Sequence, residues 1–273
     1  MKTSILGCGW LGEPLAESLL EKGYTVKGST TTESKISRLE EKGIEAHLIK
    51  LDPELHCENC ASFWDSDLLV LNIPPCRGRE NVVAYHAAQV QSAIDRLKDS
   101  AIERVIFISS TSVYPKLPGV VVESDAIEGE AGRPSGNALL RAESMLMEAD
   151  EFDTTILRFG GLYGYDRHPA KYMAGKTNLE RGKAPVNLIH RDDCIRIIEQ
   201  IIEDHITGET FNAVSDGHPP REMYYREAAE ALDMVPPSFK EDTDKEYKVV
   251  SNRKLKEILD YRFKYPNPMY LEQ

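Results

Sequence analysis

Short apolar runs rich in β-branched residues alternate with longer amphipathic stretches through the N-terminal half of the chain. Thr3-Ser4-Ile5-Leu6 leads into glycines and a helical stretch from Leu11 to Lys22, and Tyr24-Thr25-Val26-Lys27 leads into a hydroxyl-rich loop. Ala46-His47-Leu48-Ile49-Lys50-Leu51 runs to Asp52, and Leu68-Leu69-Val70-Leu71-Asn72 runs to Pro74-Pro75. Between about Val82 and Leu97, the residues Val83, Ala87, Val90, Ile94 and Leu97 recur at helical spacing, which predicts a helix with one buried face. A strand Val105-Ile106-Phe107-Ile108 follows, then a helix from about Asn137 to Ala149 and a strand Thr154-Thr155-Ile156-Leu157-Arg158. Strands separated by helices of this length form βαβ units, and strands apolar throughout lie in a parallel sheet covered on both faces. The pattern predicts an α/β protein built on a doubly wound parallel sheet.

Beyond Tyr163 the pattern loosens. Residues Tyr165 to Pro185 are polar and irregular, and a helix then buries Ile195, Ile198, Ile201 and Ile202, with Asp192 or Asp193 placed to cap it. From Pro219 onward, through Pro236-Pro237 and the charged run Lys240 to Lys248, the chain reads as small helices and loops. Residues 1–164 are therefore expected to form the core domain and 165–273 mainly a smaller C-terminal lobe, with a segment near 185–215 returning to the sheet. No internal repeat or low-complexity tract interrupts this plan.

Composition narrows the partners. Of 273 residues, 41% are hydrophobic, enough for a substantial core, and 33 Lys and Arg stand against 45 Asp and Glu, a net charge of −12. That field repels nucleic acid and anionic lipid. No apolar stretch has the length of a membrane span, and the opening Met1 to Trp10, interrupted by Gly7 and Gly9, predicts neither a signal peptide nor an anchor. Five cysteines, with Cys8 and Cys194 inside apolar patterns, predict reduced thiols and a cytoplasmic protein.

Directly after the first strand stands Gly7-Cys8-Gly9-Trp10-Leu11-Gly12, a G-x-G-x-x-G opening the first helix. Gly7 makes the tight turn, Gly9 lets the backbone approach a pyrophosphate, and Gly12 lets helix and strand pack closely, while the helix N-terminus offers free N–H groups and a partial positive charge. This strand-loop-helix placement predicts a dinucleotide-binding Rossmann fold. At the end of the second strand, Ser29, Thr30 and Thr31 supply hydroxyls and Lys35 a cation, with no acid before Glu33, which favours NADP over NAD. The same hydroxyls are equally readable as a loop and helix cap. Asp52 stands where an acid bonds the adenine amine or simply makes a turn, and Asn72-Ile73-Pro74 lines the cofactor or sets a proline turn.

The fifth predicted strand ends in Ser109-Ser110-Thr111-Ser112-Val113-Tyr114, and here the chain resembles the extended short-chain dehydrogenase/reductase superfamily, the NAD-dependent epimerase/dehydratase group. Leu157-Arg158-Phe159-Gly160-Gly161-Leu162-Tyr163-Gly164 is similar to its Arg-x-x-x-x-Tyr-Gly segment and Ile189-His190-Arg191-Asp192-Asp193 to its Ile-His-x-x-Asp segment. Asn212 and Ser251 to Leu255 match its late elements, and the glycine pattern and length look most like the small atypical branch of YeeZ-type proteins. The resemblance implies a Ser/Thr, Tyr and Lys chemistry, in which the Tyr is the general acid/base, the Lys lowers its pKa and the Ser or Thr polarises the substrate oxygen. The Ser falls on Ser110, with Thr111 beside it. Alignment on Gly136 and Glu143 puts Ser135 at the Tyr position and Leu139 at the Lys position, so the dyad is absent; Arg141 points to another helix face.

The catalytic candidates are accordingly Ser110, Thr111 and Tyr163, the last equally readable as an aromatic closing the core. Arg158 either anchors the cleft mouth or pairs with an acid, and His190 reads as a core or capping histidine. Tyr165, Arg167 and His168 lie on the loop where doubly wound sheets bind ligands. Cys57-Glu58-Asn59-Cys60 lacks the further ligands of a zinc site and reads as reduced loop cysteines; no metal is expected. Two functions remain open. One is an NAD(P)-dependent epimerase, reductase or dehydratase acting on a small carbonyl or sugar-nucleotide-like substrate. The other is a catalytically silent dinucleotide-binding redox sensor. The predicted helices 82–97 and 137–149 carry the faces through which this superfamily often forms homodimers.

Overall fold

The structure, a computed structural model, describes residues 1–76, 78–241 and 247–270. Part of the charged run after Lys240, residues 242–246, lies outside the described residues. The first βαβ units run β1 (Lys2–Leu6), α1 (Gly12–Glu21), β2 (Thr25–Thr30), α2 (Ile36–Glu41) and β3 (Glu45–Leu51). A short β4 (Leu55–Cys57) turns back on β3, and β5 (Leu68–Leu71), α3 (Val82–Lys98) and β6 (Arg104–Ser110) continue the winding. Next come β7 (Gly119–Val121), α4 (Pro134–Met147), β8 (Asp153–Phe159), β9 (Gly161–Tyr163), β10 (Leu188–His190) and α5 (Arg191–Glu203). The chain ends through β11 (Thr210–Ala213), α6 (Arg221–Glu230), β12 (Lys248–Val250) and α7 (Arg253–Leu259).

Eight strands form one sheet in the order β11-β8-β6-β5-β1-β2-β3-β4, every pairing parallel except the antiparallel β3 and β4. This is the doubly wound Rossmann arrangement, and its period-2 side chains feed two separate cores. Ile5, Val70, Ile106 and Leu157 point to the face covered by α1, α2, α5 and α7, while Leu6, Leu71, Phe107 and Ile156 point to the face covered by α3 and α4. The apolar stripes of α3 and α4 are consumed by this second core. A third, smaller cluster gathers Tyr163, Ala170, Val186, Leu188 and Tyr224.

Several local expectations change. The helix expected from about Asn137 starts at Pro134, whose fixed φ and missing N–H suit the first helical turn. The α5 cap is His190, not an aspartate: its Nδ1 accepts the Asp192 N–H at 3.2 Å. Asp193 is instead fully buried and accepts from the Tyr261 hydroxyl and the Lys264 and Tyr265 N–H groups, tying the chain end to α5. Cys57 and Cys60, expected as reduced loop thiols, are bridged by a disulfide with Cα atoms 5.9 Å apart. The left-handed φ of 55° at Asn59 curls the C-x-x-C back on itself. Among the described residues no helix is long and apolar enough to cross a membrane.

Candidate cofactor and active site

The turn from β1 into α1 is fixed from three sides. Gly7 has φ +113°, and a Cβ there would stand 2.4 Å from the Asn72 carbonyl oxygen. The Asn72 side chain donates from Nδ2 to the Gly7 carbonyl at 3.0 Å, and the Gly7 N–H donates to Ser29 Oγ at 2.9 Å. A Cβ on Gly12 would meet the Gly7 carbonyl oxygen at 2.2 Å, so α1 sits directly on the turn. Gly9 differs from both. Its backbone is outside the left-handed region and a Cβ on it would meet nothing within 4 Å. The fold itself does not require glycine there; the open space above it is the cradle a close-approaching ligand needs. Leu11 caps α1 without any side-chain bond; in the first turn the Glu13 N–H donates to the Gly9 carbonyl at 3.0 Å and Pro14 carries no N–H, which leaves Gly12 as the first-turn donor.

Sequence reasoning assigned Ser29 and Thr30 to the cofactor, yet both are turned inward. Ser29 is 2% exposed and braces Gly7, and Thr30 Oγ1 accepts the Thr32 N–H at 3.1 Å. Thr31 and Lys35 are exposed. Lys35 belongs to the rim of a cleft of about 500 Å³ beside Gly9 and Trp10, where four cations, Lys35, Arg38, Lys42 and Arg191, face three acids, Glu13, Glu17 and Asp166. Glu13 accepts from Arg38 and from Lys42 at 2.6 Å each. Burial pushes its carboxyl up, but the bonds from Lys42 and Arg38 outweigh it and hold the pKa below the usual range.

Trp10 joins this rim to the C-terminal lobe, a link sequence reasoning missed. Its Nε1 donates to Asp166 at 2.7 Å, and the Arg167 and Arg191 guanidinium groups lie 4.8 and 4.9 Å from its ring centroid. Arg191 also stacks 3.9 Å from the Tyr165 ring, whose hydroxyl donates to Asp192 at 2.8 Å, and its buried Nε has no hydrogen-bond partner. The only sequence signal was position: Tyr165 and Arg167 lie on the expected ligand loop, and Arg191 follows His190.

At the end of β6, Ser110 is half-buried and its Oγ accepts the Ser112 N–H at 3.2 Å, with half-buried Thr111 beside it. A Cβ on Gly136 would stand 2.3 Å from the Ser112 carbonyl oxygen, so the start of α4, including Ser135, is pressed against this turn. Leu139, one turn on, is 4% exposed and packs in the second core. Beneath lies a buried network. Glu143 pairs with Arg158 at 2.7 Å and accepts from Ser109, and the Tyr114 hydroxyl donates to Asn212 at 2.6 Å while accepting from Arg158 at 3.1 Å. Burial pushes the Tyr114 phenol up to about 12. Of the two readings of Arg158, the ion pair is the one observed.

Tyr163 lies in the third cluster at 5% exposure, its ring edge-on to His190 at 5.1 Å and its hydroxyl buried beside Ser215. Burial and the nearby Asp193 carboxylate raise its pKa strongly, which keeps the phenol protonated. His168 is half-buried, and burial lowers its pKa. Asp52 is exposed, accepting from the Tyr85 hydroxyl with Arg79 at 3.7 Å; Ile73 packs against the second core, and Pro74 is exposed. Among the described residues no His, Cys, Asp or Glu cluster could hold a metal ion.

Residues 7–205 match the NAD(P)H-binding family. The chain is 34% identical over 273 residues to Protein YeeZ of Escherichia coli, covering 99% of this chain and 98% of that protein. Among solved structures, a UDP-glucuronic acid 4-epimerase from Bacillus cereus in complex with NAD superposes with a TM-score of 0.78 at 20% identity, over 97% of this chain and 94% of that one. A UDP-galactose 4-epimerase gives 0.78 at 16% identity, over 98% and 95%.

Proposed function

We propose that this chain, which belongs to the NAD(P)H-binding family, is an oxidoreductase of the epimerase, reductase or dehydratase kind, binding NADP and acting on a small carbonyl or sugar-nucleotide-like substrate. The observation that carries the reading is the open space over Gly9, beside glycines the fold does require. The pyrophosphate belongs against Gly9 and the first turn of α1, and Thr31, Lys35 and Arg38 take the 2′-phosphate, since no carboxylate ends β2. Residues 1–164 hold the dinucleotide and residues 165–273 contribute most of the substrate side.

A bound nicotinamide supplies or takes hydride at the sheet edge. There the Ser110 Oγ, already accepting the Ser112 N–H, has its own O–H to donate to a substrate oxygen, with Thr111 adjacent. Tyr163, held protonated, offers a hydrogen-bond donor and no base. Ser135 and Leu139 offer no phenol and no ammonium, so a general acid/base contribution of typically ~10²–10⁴ in rate is missing. That same vacancy favours a second reading, a silent dinucleotide-binding sensor.

Calorimetric titration decides the first half: NADPH is expected to bind more tightly than NADH by about 1–3 kcal/mol, and Gly9→Val to abolish binding with the fold intact. Equal or tighter NADH binding would overturn the cofactor choice, and unchanged affinity in Gly9→Val the cradle itself. Single-turnover cofactor oxidation on a panel of sugar nucleotides, aldehydes and ketones decides the second. Weak activity is expected in the wild type, less in Ser110→Ala and ~10²–10⁴ more in Ser135→Tyr/Leu139→Lys. Silence in all three with cofactor bound would favour the sensor. Homodimerisation would have to use the outer faces of α3 and α4, since their apolar stripes are consumed by the second core; a monomer at high micromolar concentration in sedimentation would remove it.

A further inference from the structure

The C-x-x-C segment takes no part in the cofactor site, yet its two cysteines occupy unlike surroundings. Cys57 ends β4, is half-buried, and is followed by exposed Glu58 and Asn59; Cys60 is 4% exposed and packs in the second core, next to the turn that buries Phe63 and Trp64. We propose that Cys57 and Cys60 form a reversible dithiol–disulfide couple that exchanges with external dithiols, Cys57 being the sulfur attacked.

Three features carry this. The Cα separation of 5.9 Å lies within the range a disulfide spans, so pairing needs no backbone movement. The ring closes over a sequence separation of only three, so the bridge restrains the unfolded chain far less than a long-range one and is not a major support of the fold. It also sits on the last strand of the sheet, a three-residue strand paired on one side only, where local opening is least costly. The other thiols are placed differently: Cys8 and Cys194 are buried in the first core, and Cys76 is exposed and single.

In the exchange, one thiolate of an external dithiol attacks Cys57 Sγ. The bond to Cys60 breaks, and its electron pair leaves on Cys60 Sγ, which takes a proton; apolar surroundings favour that neutral thiol. The second thiol of the reagent then displaces Cys57 from the mixed disulfide. The external dithiol is oxidised by two electrons, and the couple is reduced by two.

The test uses the full-length protein in a Cys76→Ser background, equilibrated with reduced and oxidised dithiothreitol and with glutathione buffers, then mass-tagged with a maleimide. Two thiols are expected to appear and disappear together under native conditions, with the thermal transition retained and Cys8 and Cys194 untagged until unfolding. With oxidised glutathione, Cys60→Ser is expected to form a mixed disulfide on Cys57 at least tenfold faster than Cys57→Ser forms one on Cys60. A bridge that resists dithiothreitol until the protein unfolds would overturn the proposal as a structural disulfide. Cysteines that stay reduced in oxidised buffer would overturn it as no couple at all. Equal rates in the two single variants would overturn the assignment of Cys57, and the native titration of the unsubstituted pair stands if either variant fails to fold.

Discussion

At the end of β1, α1 is seated so closely that a Cβ on Gly12 would stand 2.2 Å from the Gly7 carbonyl oxygen; at the end of β6, α4 is seated so that a Cβ on Gly136 would stand 2.3 Å from the Ser112 carbonyl oxygen. At both places a helix is seated on the turn that ends a strand of the sheet, by the same packing device. They differ in what they present. The first presents backbone N–H groups, which no side-chain replacement removes. The second, at the positions where the resemblance places a phenol and an ammonium, carries Ser135 and Leu139. On the proposed reading, a chain can retain a binding turn while a catalytic turn loses chemistry, because only the latter is written in side chains.

The sharpest way to break the parallel is to press on both glycines. Gly12→Val and Gly136→Val each drive a side chain into backbone and are expected to cost more than about 4 kcal/mol or to prevent folding, as read by urea unfolding. A cost below about 1 kcal/mol at Gly136 alone would show that α4 is not seated as α1 is. Next in size is the support beneath the second turn. Arg158→Met leaves the Glu143 carboxylate, 4% exposed, without its cation and is expected to lose about 3–5 kcal/mol, most of it regained in Arg158→Met/Glu143→Gln. No recovery in the double variant would mean that Arg158 supports the turn by packing.

The smallest effect belongs to the first turn. Glu13 titrates below its ordinary value in the folded chain, so its contribution is complete above that ordinary value and is lost as pH falls through the depressed one. Stability measured from pH 6 downward should therefore fall less in Glu13→Gln than in the wild type, by a fraction of a kcal/mol because Arg38 is exposed and Lys42 only half-buried. Identical acid profiles would remove Glu13 from the rim's electrostatics.

The sheet was legible because its signals are local: continuous apolar strands, helical spacing in 82–97, and a glycine triplet between a strand and a helix. What escaped was long-range or directional. Trp10 meets Asp166 and Arg191 across 156 and 181 residues, a contact no window along the chain contains. Ser29 was correctly located at the end of β2, but nothing in its neighbours reveals that its hydroxyl turns toward Gly7 rather than outward. His190 was readable as a core or capping residue and is both, but that Asp193 is drawn into the core by Tyr261 instead of capping α5 depends on a contact 68 residues away.

The open space over Gly9 also has a consequence for the unfolded chain. A glycine whose folded backbone would accept alanine, with nothing in the way of the added methyl, gives the denatured ensemble freedom that folding must remove. Gly9→Ala should therefore melt higher than the wild type in the absence of any dinucleotide, by about 0.4–1 kcal/mol in stability. Saturating NADPH should reverse that order, since only the wild type gains stability from a ligand that binds the folded state alone. One methyl group would thus move the protein between two optima, one for holding its fold and one for holding its cofactor.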